Sequence, residues 1–273
     1  MSNLDTAGYL GPPGTFSSKA AARVSNSTKP FQSIREVVES VENKEIQWGV
    51  LPIENSLEGA VTETMDLLLE IEYSCIIKEI VLPIQYVLLS TANQDLKNIE
   101  TVFSHPQALA QCRELFLEYP HLNKEAAQST AQAAEKVKGD KRAAALSPNS
   151  YREYGLNILW EGPKKQYNNE TRFIVLGDDI PAPTGNDKTS IVFGVHDKPG
   201  ALYKALETFS SLGINLSRIE SRPSKRQLGE YVFYVDLEGH KDDDNTSKAL
   251  RGVKENANFL KILGSYPREY SKS

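Results

Sequence analysis

Apolar residues recur along this chain in two alternating patterns. Short runs rich in valine and isoleucine at residues 7–10, 48–52, 76–82, 86–89, 101–103, 142–146 and 173–176 predict strands. Between them, residues 17–24, 34–43, 59–69, 106–117 and 130–138 carry apolar positions at helical spacing. Two of these helices have readable starts: Ser129 and Thr130 stand as an N-cap before an alanine-rich segment, and Pro106 sits in a first turn, where a missing N–H costs nothing. Strands alternating with helices predict an α/β layer fold.

The pattern breaks at GDDIPAPTGND, residues 177–187, a run rich in Pro, Gly and Asp without apolar periodicity. It divides the chain into a first domain at 1–180, a linker at 181–187 and a second domain at 188–273. After the break the order is strand (189–195), helix (200–212), strand (214–221), strand (231–237), helix (245–257) and strand (260–266). That is βαββαβ, a ferredoxin-like unit.

Composition narrows the function. With 273 residues, 40% hydrophobic and 25% charged, the chain is an ordinary globular protein. Its longest apolar region, 76–89, is interrupted by Lys78, Glu79, Pro83 and Gln85, too polar for a membrane helix. The start resembles neither a secretory signal nor a transit peptide, so a cytoplasmic location is expected. Net charge is -5; from residue 186 onward 14 Lys and Arg face 12 Asp and Glu, leaving -7 for the rest, so neither part carries a field suited to nucleic acid. Cys75 and Cys112 read as free buried thiols, and the four histidines are scattered without ligand spacing, so no metal is expected.

Polar residues gather where strands end. GPPGTFS, residues 11–17, joins the first strand to the first helix and reads equally as a tight turn or an anion-binding loop. PIENSLEG, residues 52–59, puts Glu54, Asn55 and Ser56 at a strand's carboxyl end, either as ligand-facing groups or as helix caps. SHPQALAQ, residues 104–111, repeats the arrangement, with Gln111 one turn beyond Gln107; His105 alone reads as structural more readily than as a base. NETRF, residues 169–173, brings an arginine to a strand start, suited to a carboxylate or to a surface ion pair. Hydroxyls, amides and one arginine make a small-anion site without a cofactor.

In this order, GPPGTFS, PIENSLEG, SHPQALAQC, STAQAA and NETRF, followed by PGAL and IESRP, resemble a prephenate dehydratase with a C-terminal ACT regulatory domain, over about residues 9–266. The resemblance implies a catalytic domain of two lobes, like a type II periplasmic binding protein, with the active site between them. It also implies a monofunctional enzyme, since six residues before the first strand leave no room for a fused chorismate mutase. The implied reaction turns prephenate into phenylpyruvate, water and CO2 without a cofactor. Thr171 would serve the leaving hydroxyl, Arg172 a substrate carboxylate, and Asn55, Ser104 and Gln111 would be polar partners. Thr15, Ser56, Ser129 and Thr130 would complete the anion site, with Phe173 packed behind it, while Glu54 either tunes the site or is structural. In the second domain, Gly200, Ala201 and Leu202 with Asn215, Leu216, Glu220, Ser221, Arg222 and Pro223 would bind phenylalanine at a subunit interface of a homodimer or homotetramer. The segment AAALSPNSYREYG, residues 143–155, departs from the family's small-residue helix. A non-catalytic amino-acid or anion sensor and an arogenate dehydratase are the alternatives.

Overall fold

The computed structural model describes residues 5–128, 130–148, 155–162, 169–224 and 231–269. The chain opens with β1 (Thr6–Leu10), α1 (Phe16–Ala21), β2 (Ser27–Phe31), α2 (Ile34–Glu42), β3 (Trp48–Asn55), a two-residue β4 (Gly59–Ala60), α3 (Thr62–Glu70) and β5 (Cys75–Pro83). It then builds a second lobe from β6 (Tyr86–Ser90), β7 (Thr101–Ser104), α4 (Pro106–Gln111), α5 (Arg113–Glu118), β8 (Asn123–Ala126), α6 (Thr130–Lys136), β9 (Ala143–Pro148) and β10 (Asn157–Glu161). The strand β11 (Glu170–Gly177) returns to the first lobe, where it lies between β3 and β5 in the order β2-β1-β3-β11-β5. The second lobe's sheet runs β10-β6-β9-β7-β8. Two α/β lobes, joined by two crossings, form the first domain. The crossings are tied to each other, since Ile84 donates its N–H to the Asn169 carbonyl at 2.8 Å.

The third unit, β12 (Asp187–Gly194), α7 (Ala201–Ser211), β13 (Leu216–Pro223), β14 (Tyr231–Glu238), α8 (Asp244–Asn256) and β15 (Phe259–Pro267), is an antiparallel sheet ordered β13-β14-β12-β15. It is the ferredoxin-like βαββαβ arrangement expected from the strand and helix order. One face, with Ile191, Phe193, Val235 and Leu237, packs under α7 and α8 through Ala205, Phe209, Ala249 and Val253. The other face packs against the first lobe. Val192, Val232, Tyr234, Leu263 and Tyr266 share a core with Leu51, Ile53, Met65, Leu68, Ile76 and Ile174 of the first lobe. At this seam a side chain on Gly264 would lie 2.0 Å from the Ile76 carbonyl oxygen, so only glycine lets β15 approach β5 this closely. Tyr234 Oη donates to the Met65 carbonyl at 2.7 Å, and Lys261 Nζ donates to the carbonyls of Leu68, Leu69 and Ile71 at the end of α3.

Three sequence expectations change. Residues 106–117 form two short helices, α4 and α5, broken at Cys112, whose φ of -95° and ψ of 35° leave the helical region. The helix expected from 59 begins only at Thr62, because Gly59 and Ala60 pair with Asn55 and Glu54 instead. β2 and β8, which carry no hydrophobic alternation, are exposed strands on the outer edges of their sheets. Cys112 is buried and Cys75 half-buried; both are free, and burial pushes their thiols up to about 12 and about 11. No helix among the described residues is long and apolar enough to cross a membrane.

Candidate functional site

β3 and β11 run antiparallel and bring Asn55 directly opposite Thr171. Asn55 Nδ2 donates to Thr171 Oγ1 at 2.9 Å and to Asn169 Oδ1 at 2.9 Å, while its own Oδ1 accepts from the N–H groups of Leu57 and Glu58. All four hydrogen-bonding positions of this amide are filled, which fixes its orientation. The row continues across the lobes. Asn169 Nδ2 donates to Gln111 Oε1 at 3.0 Å, and Gln111 Nε2, on α4 of the second lobe, donates to Glu58 Oε1 at 3.0 Å on the first. A carboxylate only accepts, so Glu58 sets the direction of every amide back to Asn55. Every amide donates toward Glu58. Because Asn55 donates to the Thr171 oxygen, the Thr171 hydroxyl proton is left to point elsewhere.

Asn169, buried at 4% exposure, and Glu58 are the members of this row that the sequence reading did not assign. Asn169 belongs to the NETRF run, and Glu58 to PIENSLEG, so both stood inside the motifs already noticed. What could not be read was that the two motifs meet.

Several expected partners lie elsewhere. Strand alternation turns Arg172, expected to grip a substrate carboxylate, to the face opposite Thr171. Its guanidinium bonds Asp236 Oδ2 at 2.6 Å, Glu54 Oε2 at 3.1 Å and Glu79 Oε2 at 3.3 Å, against the C-terminal unit. Burial works against this charge, but Asp236, Tyr266, Glu79 and Glu54 hold it above its ordinary value. Burial likewise opposes the Asp236 carboxylate, and Arg172, Arg218 and Lys188 together outweigh it and lower its pKa. Glu54 faces the same side, with Arg218 Nε at 3.7 Å. Ser104 is fully buried and donates to the Leu146 carbonyl at 2.6 Å, tying β7 to β9 rather than entering the amide row. Ser56 extends the β3–β11 ladder, its Oγ accepting from the Glu170 N–H at 2.9 Å. Phe173, at 1% exposure, packs with Ala7, Tyr9 and Val50 inside the core. Thr15 caps α1, its Oγ1 accepting from the Ser18 N–H at 3.3 Å, and His105 caps α4 through Nδ1. Ser129 lies outside the described residues, Thr130 opens α6, and 149–154 of the departing segment also lie outside them.

In the C-terminal unit, Gly200 takes φ 79° ahead of α7, a left-handed turn that suits glycine, and Ala201 and Leu202 begin the helix. Asn215 Nδ2 donates to Glu238 Oε1 at 3.0 Å, beside Leu216. Along β13, Arg218, Glu220 and Arg222 are half-buried on one face while Ile219, Ser221 and Pro223 are exposed on the other. Arg222 was expected to hold an amino acid, yet its Nη2 bonds both oxygens of Asp66 on α3 at 3.1 and 3.0 Å, so it too faces the first lobe. Ile219 is 47% exposed, on the edge strand of the sheet and on its helix-bearing side.

The sequence model of the prephenate dehydratase family matches residues 7–181, and that of the ACT domain matches residues 189–255. The chain is 48% identical to the bifunctional chorismate mutase/prephenate dehydratase of Aquifex aeolicus, over 95% of this chain and 73% of that protein. It is 40% identical to the prephenate dehydratase of Methanocaldococcus jannaschii, over 95% of this chain and 97% of that one. Among solved structures, the prephenate dehydratase of Arthrobacter aurescens in complex with L-Phe superposes with a TM-score of 0.86 at 36% identity, covering 96% of this chain and 90% of that one.

Proposed function

The chain belongs to the prephenate dehydratase family, and from that premise we propose that its inter-lobe row of amides carries out the conversion of prephenate to phenylpyruvate, water and CO2. Prephenate bears a carboxylate and, across the ring, a hydroxyl. Breaking the ring C–CO2 bond pushes an electron pair through the diene and expels the hydroxyl, and the ring becomes aromatic. One proton has to reach the departing oxygen for it to leave as water. No electron sink is needed, because aromatisation supplies the driving force.

The enzyme's task is therefore to orient the substrate, desolvate the departing carboxylate and present a donor to the hydroxyl. The Asn55–Thr171 hydrogen bond is the observation that carries this reading. An amide donating to Thr171 Oγ1 frees the threonine proton for the leaving oxygen. Threonine is too weak an acid to be consumed, so it acts as an oriented donor whose proton returns through water. Replacing Thr171 with valine keeps the shape and removes the donor. It should lower kcat at least ~100-fold with KM changed only a few-fold, the size expected for a lost general-acid contact. Phenylpyruvate is followed by its enolate absorbance in alkali, and a rate within twofold of the parent overturns the assignment.

The ACT unit is read as the sensor of phenylalanine, which the Arthrobacter relative was solved with. The support here is β13, an edge strand on which Ile219 and Ser221 are exposed, together with the turn at Gly200 and the Asn215 amide. A strand edge of this kind suits a second copy of the chain, so that the effector sits between two subunits. Light scattering should give a dimer or tetramer, and phenylalanine should suppress turnover. A monomer unaffected by phenylalanine would remove this part of the reading and leave the catalytic part standing.

A further inference from the structure

We propose that Arg172 is a positioning residue through which the effector-bearing strand of the C-terminal unit acts on Thr171. The inference rests on the functional reading above and adds the physical link between its two halves. Arg172 follows Thr171 on β11, and Glu54 precedes Asn55 on β3; the two are register partners, one step from the Thr171–Asn55 pair. Their ion pair at 3.1 Å lies on the back of the same ladder whose front carries the Asn55–Thr171 hydrogen bond. A displacement of β11 against β3 at the Arg172–Glu54 pair would therefore be felt at the Thr171–Asn55 pair beside it.

The other side of the cluster belongs to the C-terminal unit. Asp236 of β14 accepts from Arg172 at 2.6 Å and from Ser190 Oγ at 2.5 Å, and it is register partner to Arg218 of β13. Arg218 reaches back to Glu54 at 3.7 Å. Lys188 of β12 holds Glu79 at 2.7 Å, and Glu79 also bonds Arg172. Arg172, Arg218 and Lys188 thus face Glu54, Glu79 and Asp236, three charges against three, all partly or wholly withdrawn from water. Every cation here is shared between the two domains or touches a residue that is.

A balanced cluster of this kind constrains its buried members, because Arg172, Asp236 and Glu79, parted from their partners, would be left with little water to turn to, whereas Glu54 is partly exposed. Arg218 and Arg222 are also the residues by which β13 grips the first lobe, and β13 bears the exposed positions that the effector reading uses. Movement of β13 upon binding therefore moves Arg218 against Glu54, together with Arg222 against Asp66. That supplies the two distinct sites and the differential contact that allosteric coupling requires.

Two variants and three readouts test this. Arg218→Gln lies outside both proposed binding sites. Measured against the variant's own uninhibited rate, inhibition at saturating phenylalanine should fall below half of the parent's, while phenylalanine affinity, by calorimetry, stays within threefold. Arg172→Lys keeps the charge but not the forked contacts, and should lower kcat tenfold or more with KM within threefold. Independently of turnover, hydrogen exchange should change in residues 52–56 and 170–174 of the parent when phenylalanine is added, and should not change there in Arg218→Gln. Should Arg172→Lys fail to fold, Arg218→Gln alone decides. Full inhibition of Arg218→Gln, or an exchange response equal to the parent's, overturns the coupling. A parent that shows the exchange response without prephenate turnover would instead sink the catalytic reading and keep the link.

Discussion

Replacing Asn55 with aspartate changes one NH2 for an oxygen and leaves the shape alone, which makes it the sharpest probe of the amide row. In the parent, Asn55 donates to Thr171 Oγ1 and to Asn169 Oδ1, both at 2.9 Å. A carboxylate at 55 can donate to neither. Its acceptor role toward the Leu57 and Glu58 N–H groups survives, so the turn after β3 is kept. Asn169 can rotate to offer its NH2 to the new carboxylate, Gln111 must then rotate in turn, and the mismatch ends as two facing oxygens at Glu58, the exposed end of the row. Stability should therefore fall by only ~1 kcal/mol, one ordinary hydrogen bond. Catalysis is another matter. The Thr171 hydroxyl now bonds the aspartate, and releasing a proton donor from a charged acceptor costs about 1.5–3 kcal/mol, a loss of roughly 10- to 150-fold in kcat. Substrate binding loses no partner, so KM should stay within about threefold on the same argument. Steady-state formation of phenylpyruvate and a thermal melt measure the two quantities. A kcat within twofold of the parent, with the protein folded, would show that the direction of the Asn55–Thr171 bond is irrelevant to the reaction.

Two further outcomes follow from the seam between domains. Gly264→Ala puts a methyl 2.0 Å from the Ile76 carbonyl, where backbone has to move, and should destabilise by ~2–3 kcal/mol, seen as a melting point several degrees lower; an unchanged melt would mean that β15 and β5 are not in close contact. Asp236 has a native pKa below its ordinary value of 3.8, so its contribution is complete above that value and is lost as pH falls through the lower native one. The parent's stability should accordingly drop faster below about pH 4 than that of Asp236→Asn, compared by denaturant titration across pH, and parallel curves would refute it.

Much of this was legible in the chain because the period of the hydrophobic pattern is a direct consequence of burial. β12, whose eight residues are all buried, and α7, with Ala205 and Phe209 inward, were found within a residue or two of their ends. β2 and β8 were missed for the same reason in reverse, since edge strands such as STKPF and NKEA bury almost nothing and leave no period to see. The site divides in a similar way. Asn55, Gln111 and Thr171 stand out as polar groups at the ends of apolar runs, whereas the domain seam that Arg172 joins leaves no such mark in the sequence. The face of Arg172 could be counted from Thr171, but what covers it depends on a sheet more than 60 residues downstream in sequence, as the separation of 64 between Arg172 and Asp236 records. Ser104 misled for a different reason. A serine at a strand's end looks the same in sequence whether its hydroxyl faces a cleft or, as here, a carbonyl of the neighbouring strand.

The arrangement around β11 gives the two-residue period a functional sense. Thr171 and Arg172 are adjacent, so they must point to opposite faces, and the fold lies a cleft against one and a second domain against the other. The same holds for the partner strand, where Asn55 faces the amide row and Glu54 faces Arg172. Each strand thus carries one residue of the proposed chemistry and, next to it, one residue of the domain seam. A separate transmitting element is unnecessary, because a displacement at the seam is a displacement of the same backbone. This also explains why charge is used at that point and apolar packing around it. Leu51, Ile53 and Ile174 would hold the two domains together in many slightly different registers, whereas Arg172 between Asp236 and Glu54 accepts only geometries in which both contacts are made.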